Sequence, residues 1–182
     1  MHTLAKNTHH NIRLIEFCLQ KAYPDGNITV ERLIEDNLVN GTQVAELAIS
    51  RSSGISMDAI GHGMDLVDGS DVKTCTVYAH NTKSWKYKNN IKTGEFTAGT
   101  EHVARVTGIN SKIGTLRVIS YNPFFDAWHY LIIPNSIYNG LYEVTLRFCK
   151  ITGQLIGKYV PYIVNSWEEL CSPCVYELKK LI

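Results

Sequence analysis

The chain has 182 residues, 45% of them apolar, and a formal net charge of +1. That length supports one domain with a real core rather than two, and the near-neutral balance excludes a uniformly basic nucleic-acid binder, so any footprint for a polyanion must be local. No run approaches the ~20 apolar residues of a membrane span, and the N-terminus lacks the basic-then-apolar pattern of a secretory leader. The five cysteines (Cys18, Cys75, Cys149, Cys171 and Cys174) form no disulfide framework. These features predict a soluble protein of the reducing cytoplasm with no membrane partner.

The first third reads as helices. Thr8 caps a segment that runs to about Tyr23, with Ile12, Ile15, Leu19 and Ala22 on one face, and Pro24-Asp25-Gly26 ends it. A second helix starts at Thr29, carries Val30, Leu33, Ile34 and Leu38, and stops at Asn40-Gly41. A third starts at Thr42 and presents Val44, Leu47 and Ala48 inward through about Ser50. Strand-like segments follow at Asp71 to Tyr78, Thr115 to Tyr121, His129 to Ile133, Tyr142 to Cys149 and Leu155 to Val160. Between Ala79 and Lys112 the pattern is poor, with a short helix expected near Glu101 to Val106. Residues 167 to 181 read as a closing helix that must accommodate Pro173 in its first turn. Helices first, then a hairpin, further strands and a terminal helix predict a mixed α/β (α+β) domain over 1–182, with a mostly helical part at 1–57, a sheet and its loops at 58–165 and a helix at 166–182.

The most informative segment is Gly63-Met-Asp-Leu-Val-Asp-Gly-Ser-Asp-Val-Lys-Thr-Cys75, which places Asp65 ahead of a turn and Asp71-Val72-Lys73 after it. Register decides whether these side chains meet, because strand side chains alternate faces. A two-residue Asp68-Gly69 loop would turn Asp65 away from Asp71. A three-residue loop, Val67-Asp68-Gly69, with Gly69 at the position that wants a left-handed glycine, sets Asp65 across from Asp71, with Lys73 on the same face. Two like charges that close repel unless a cation lies between them, and a divalent metal with oxygen ligands is the simplest solution.

These residues resemble the motif of the PD-(D/E)XK nuclease superfamily, most closely its type II restriction endonucleases: an aspartate, a short turn, then acid-any-lysine on the next strand. The matching residues are Asp65, Asp71, Val72 and Lys73, within a stretch covering residues 42 to 75. Met64 stands where many members have proline, and the gap between the acids is short, so Asp58 and Asp68 are rival first carboxylates, Asp68 the weaker. The resemblance implies a central mixed β-sheet flanked by helices and hydrolysis of double-stranded DNA to 5′-phosphate ends. It further implies one or two Mg²⁺ ions on Asp65, Asp71 and the Val72 carbonyl, with Lys73 orienting or helping to deprotonate the attacking water. Glu46, on the helix before the hairpin, matches a glutamate that in related nucleases holds a metal-bound water. A homodimer is expected where a palindrome is cut on both strands.

From Val72 to Gly94 there are five lysines, Lys73 included, and no acid. With Arg105 and Lys112, the other four (Lys83, Lys86, Lys88 and Lys92) are the candidate DNA contacts, and Trp85 and Tyr87 are interleaved among them. Asn81, Asn89, Asn90 and Asn110 add types able to read bases, and nothing in the sequence singles one out. Alternative readings are a repair or junction-resolving nuclease of the same fold and a non-catalytic DNA-binding module. Cys171-Ser-Pro-Cys174 has zinc spacing but no second pair.

Overall fold

A computed structural model describes residues 13–36, 38, 41–58, 65–110 and 114–166. The leading cap at Thr8, Lys112 and the closing segment with Cys171 and Cys174 lie outside the described residues.

Helix α1 is described over 13–22, and its buried stripe is Leu14, Phe17, Cys18 and Ala22, the spacing of a helix face turned inward. Leu19 is also buried, but Ile15 is only partly covered, so the inward face is rotated from the one expected. Helix α2 (Val30–Glu35) begins where Thr29 Oγ1 accepts the Arg32 N–H at 3.2 Å, as its side chain predicted, and it ends before Leu38. Helix α3 (Gly41–Ser53) buries Val44, Ala45, Leu47, Ala48 and Ile49 and packs on the first strand.

The strands form two four-stranded sheets among the described residues. The first is mixed. Its members are β1 (Ser70–Thr76), β4 (Thr115–Asn122), β5 (Ala127–Pro134) and β8 (Ile163–Ser166), in that spatial order, with β1 parallel to β4 and the other pairs antiparallel. The second contains β2 (Tyr78–Lys88), β3 (Ile91–Val106), β6 (Val144–Phe148) and β7 (Leu155–Ile156), all antiparallel. A short helix α4 (Asn135–Tyr138) and a 3₁₀ turn at Val160–Tyr162 complete the described elements.

The period-2 alternation of the first sheet divides the core in two. Val72, Ile119, Tyr121, Trp128 and Tyr130 face α1 to α3, whereas Cys75, Leu116, Val118, Leu131 and Ile133 face Ala104, Val106, Val144, Leu146 and Phe148 of the second sheet. The protein is therefore α+β, but helices cover one face of the mixed sheet and a second sheet covers the other. The expectation of helices on both flanks is corrected in that respect.

The poorly patterned stretch after Ala79 is also corrected: it is the β2–β3 hairpin. Its two-residue turn, Asn89-Asn90, has both residues at positive φ (51° and 63°), as a type I′ turn requires. Glu101 to Val106 is the base of β3 and not a helix. Val103, Ala104 and Val106 are all buried, and this break in alternation imitates a helical turn in the sequence. The expected strand at Leu155 to Val160 is only two residues long before the chain turns. No helix among the described residues is long and apolar enough to cross a membrane.

Candidate functional site

Asp65 enters the fold through a small ladder on the open side of β1. Leu66 bridges Met57, the Asp58 N–H donates to the Asp65 carbonyl at 3.0 Å, and the Asp65 N–H donates to the Ser70 carbonyl at 3.0 Å. The loop between is Val67-Asp68-Gly69, with the Gly69 N–H donating to the Leu66 carbonyl at 3.0 Å and Gly69 at φ 84°, a left-handed conformation that glycine adopts without a Cβ clash. The three-residue turn thus has the geometry that places Asp65 beside Asp71.

Asp65 Oδ2 accepts the Val72 N–H at 2.6 Å, so the carboxylate sits over the edge of β1 that β4 does not occupy. Asp71 and Lys73 project from β1 on the same face as Cys75, toward the second sheet. Asp71 is almost fully buried. Its Oδ1 accepts from Lys73 Nζ at 2.5 Å, and its Oδ2 accepts the Asn110 N–H at 3.1 Å from the loop that follows β3. Glu46 reaches the same place from α3, near enough that the charges of Asp65, Lys73 and Asp71 all act on it.

The electrostatics of this cluster are those of too many acids for one lysine. Burial, then the Asp65 carboxylate, pushes the Glu46 carboxyl up to about 7, with Lys73 opposing and Asp71 adding to the rise. Burial also raises the Asp65 carboxyl. The Val72 N–H works against that rise, and a hydrogen bond shared with Asp71 adds to it. A carboxyl raised this far is divided between its neutral and charged forms near pH 7, and added positive charge shifts it toward the charged form.

Asp68, the weaker rival for the first carboxylate, is committed elsewhere. Its Oδ2 accepts from Arg117 Nη2 at 3.0 Å, and its Oδ1 accepts both the Ser70 N–H at 3.0 Å and the Ser70 hydroxyl at 2.5 Å. Burial pushes this carboxyl up, but the bonds from Ser70 and Arg117 outweigh burial and leave it below its ordinary value. Asp58 stands next to Asp65 through its backbone, its N–H donating to the Asp65 carbonyl.

Arg117 was missed by sequence reasoning. Lying in β4 and 7% exposed, it donates to Ser70 Oγ at 2.8 Å and to the Tyr130 hydroxyl at 2.6 Å besides Asp68, so it clamps the turn between the two site aspartates. The signal was present as a lone charge inside the apolar run Thr115-Leu-Arg-Val-Ile-Ser-Tyr121, since a buried guanidinium requires acid and hydroxyl partners.

The remaining candidates lie away from this cluster. Lys83, Lys86, Lys88 and Lys92 stand on the exposed β2–β3 hairpin, where Lys86 pairs with Glu95 at 2.9 Å and Lys92 Nζ lies 3.6 Å from the Trp85 ring centre. Arg105, at the base of β3, sits 3.9 Å from Glu143. Among the described residues no group of three or more His, Cys, Asp or Glu side chains forms a cation cage. Mg²⁺ does not need one, because it keeps several waters and is commonly held by one or two carboxylates plus substrate oxygens. Two adjacent carboxylates with unfilled lone pairs, an open strand edge and an excess of negative charge fit that mode of binding. No family model, curated protein or solved structure matches this chain.

Proposed function

We propose that the protein is a Mg²⁺-dependent endonuclease acting on double-stranded DNA in the manner of type II restriction enzymes. The observation that carries the reading is the convergence of Glu46, Asp65, Asp71 and Lys73 on one edge of β1, in the order and on the element types of the PD-(D/E)XK motif. Asp65, Asp71 and the Val72 carbonyl would hold the ion, which when bound supplies Lewis-acid relief of charge on a phosphodiester.

The chain's own groups do the rest. Lys73, held against Asp71 and partly exposed, presents an ammonium to the scissile phosphate or to the water that attacks it. Glu46, with a carboxyl poised near neutrality, can take the proton that this water releases. Asn110 fixes Asp71 through its backbone N–H, and Arg117 fixes the turn, so neither aspartate has to be reorganised when substrate arrives. A homodimer, one site per strand of a palindrome, belongs to this proposal.

The test is incubation of the purified chain with unmethylated phage DNA in Mg²⁺ and in EDTA, beside Asp71→Ala and Lys73→Ala. Discrete fragments that require Mg²⁺ and vanish in both variants are expected. Cleavage confined to branched or mismatched DNA would replace the restriction reading with the repair or junction-resolving one. Intact DNA throughout, with folded variants, would leave a binding module.

A further inference from the structure

Among the described residues, the β2–β3 hairpin is the largest feature that the acidic site does not use. Its strands run for 11 and 16 residues, and only the base of β3 pairs with β6. From Lys83 to Phe96 nearly every side chain is exposed, including Trp85, Phe96, Tyr87 (65%) and Ile91 (71%). The outer half is held by its own cross-strand pairs. Trp85 meets Phe96 edge-on with ring centres 5.2 Å apart, Lys92 caps the Trp85 ring, and the Ser84 and Thr97 hydroxyls share a hydrogen bond of 2.7 Å.

Charge identifies the occupant. Four lysines stand between Lys83 and Glu95, and the single acid in that span is already paired with Lys86. A second copy of so basic an arm would be repelled, whereas a polyanion is attracted. Shape narrows the choice further. A two-stranded ribbon fits the major groove of B-form DNA, about 12 Å wide, and eight extended residues from Asn81 to Lys88 span about 26 Å, or most of one helical turn. Midway along the ribbon is an open hollow of about 300 Å³ lined by Asn81, Thr82, Lys83, Ala98, Gly99 and Thr100. Gly99 keeps it shallow-walled, since a Cβ there would meet Thr82 Oγ1 at 3.0 Å, and glycine within a strand marks a place where another group can approach the backbone closely.

We infer that the β2–β3 ribbon enters the major groove of duplex DNA, with Lys83 and Lys88 on the phosphates and the directly opposed Asn81 and Thr100 side chains of the hollow against base edges. The inference rests on the DNA reading of the acidic site and adds the element that chooses the sequence. β1 passes into β2 through the single residue Val77, so ribbon and site are joined by continuous strand.

Binding is measured by fluorescence anisotropy on a duplex of about 30 base pairs and on its single strand, with Ca²⁺ replacing Mg²⁺, for the parent, Lys83→Ala/Lys88→Ala and Asp71→Ala. The double variant is expected to lose roughly 10-fold or more in duplex affinity and to lower the slope of log K against log salt by about 2. A duplex carrying bulky 5-substituted pyrimidines, which fill the major groove and leave the phosphates intact, is expected to bind the parent more weakly. Asp71→Ala should lose cleavage and any Ca²⁺-dependent part of the affinity but keep the weakening by the filled groove, so loss of the ion site and loss of the ribbon contact are read separately. If the parent never cuts DNA but the lysine variant loses affinity, the ribbon stands and the nuclease reading falls. If the lysine variant binds with the parental salt slope and still cuts, the ribbon inference falls alone. Indifference to the filled groove, preference for the single strand, or a Trp85→Ala/Phe96→Ala variant whose only defect is dissociation of a dimer would each overturn it.

Discussion

Replacing Glu46 by glutamine tests whether the cluster on β1 carries the excess negative charge that its geometry implies. Burial first, and the Asp65 and Asp71 charges after it, hold Glu46 at about 7 against an ordinary 4.5, so the folded state favours its protonated form. A carboxyl raised in this way contributes stability that is fully present below pH 4.5 and is lost as pH rises through about 7, with Asp65 shifted in the same direction. At ~1.4 kcal/mol for each unit, the Glu46 shift corresponds to a ceiling of about 3 kcal/mol, and solvent screening at a half-buried group reduces this to about 1–2 kcal/mol. Glutamine has the shape of the neutral acid and cannot ionise. Glu46→Gln should therefore match the parent at pH 4.5 and exceed it at pH 8 by about 1–2 kcal/mol, which is roughly 3–6 °C in Tm for a chain of this size. Thermal denaturation of both proteins at half-unit pH steps in metal-free buffer reads this directly. A variant whose Tm tracks the parent from pH 4.5 to 8 would show that Glu46 does not feel Asp65 and Asp71, and would refute the convergence of the three carboxylates.

Mg²⁺ should raise the Tm of the parent more at pH 8 than at pH 5, by an amount that grows logarithmically with concentration, and Asp65→Asn/Asp71→Asn should abolish the response in a differential scanning experiment. Arg117→Met removes the guanidinium that holds Ser70, Asp68 and Tyr130, and should cost about 2–4 kcal/mol in urea denaturation, with Arg117→Lys recovering only part of it because an ammonium cannot span the three acceptors. Gly69→Val forces a β-branched residue to φ 84° and should cost about 1–3 kcal/mol by the same assay while leaving the far-UV spectrum of the folded protein unchanged. If the Gly69 variant is as stable as the parent, the loop does not need the left-handed conformation that sets Asp65 opposite Asp71.

What could be read from the sequence depended on whether burial left a mark on it. The acidic hairpin was legible because one residue, Gly69, distinguishes a three-residue loop from a two-residue one, and that choice alone sets which face Asp65 takes. Strands β4 and β5 were legible because both of their faces are covered, one by helices and the other by the second sheet, so apolar residues run almost without interruption. The outer β2–β3 ribbon left no such mark. Among the described residues neither of its faces packs on a core, its aromatic and aliphatic side chains (Trp85, Tyr87, Ile91 and Phe96) are exposed among Lys, Thr, Asn and Ser, and a period of two cannot show where nothing apolar has to point inward. The same stretch showed a poor pattern and a run of lysines offered as DNA contacts, although its Thr, Tyr and Trp content is that of a strand. The second sheet went unrecognised for a related reason: β3 and β6 enclose the far half of the core only once the ribbon is seen as a strand pair. Composition then acquires a different meaning. Lysines on a loose loop neutralise phosphates wherever they meet them, whereas lysines at fixed register on a ribbon are spaced by the backbone at about 3.3 Å per residue and can be matched to a helical groove. The step from a charged segment to a recognising one is therefore made by hydrogen-bonded register, which the sequence could not display because no buried face was there to enforce it.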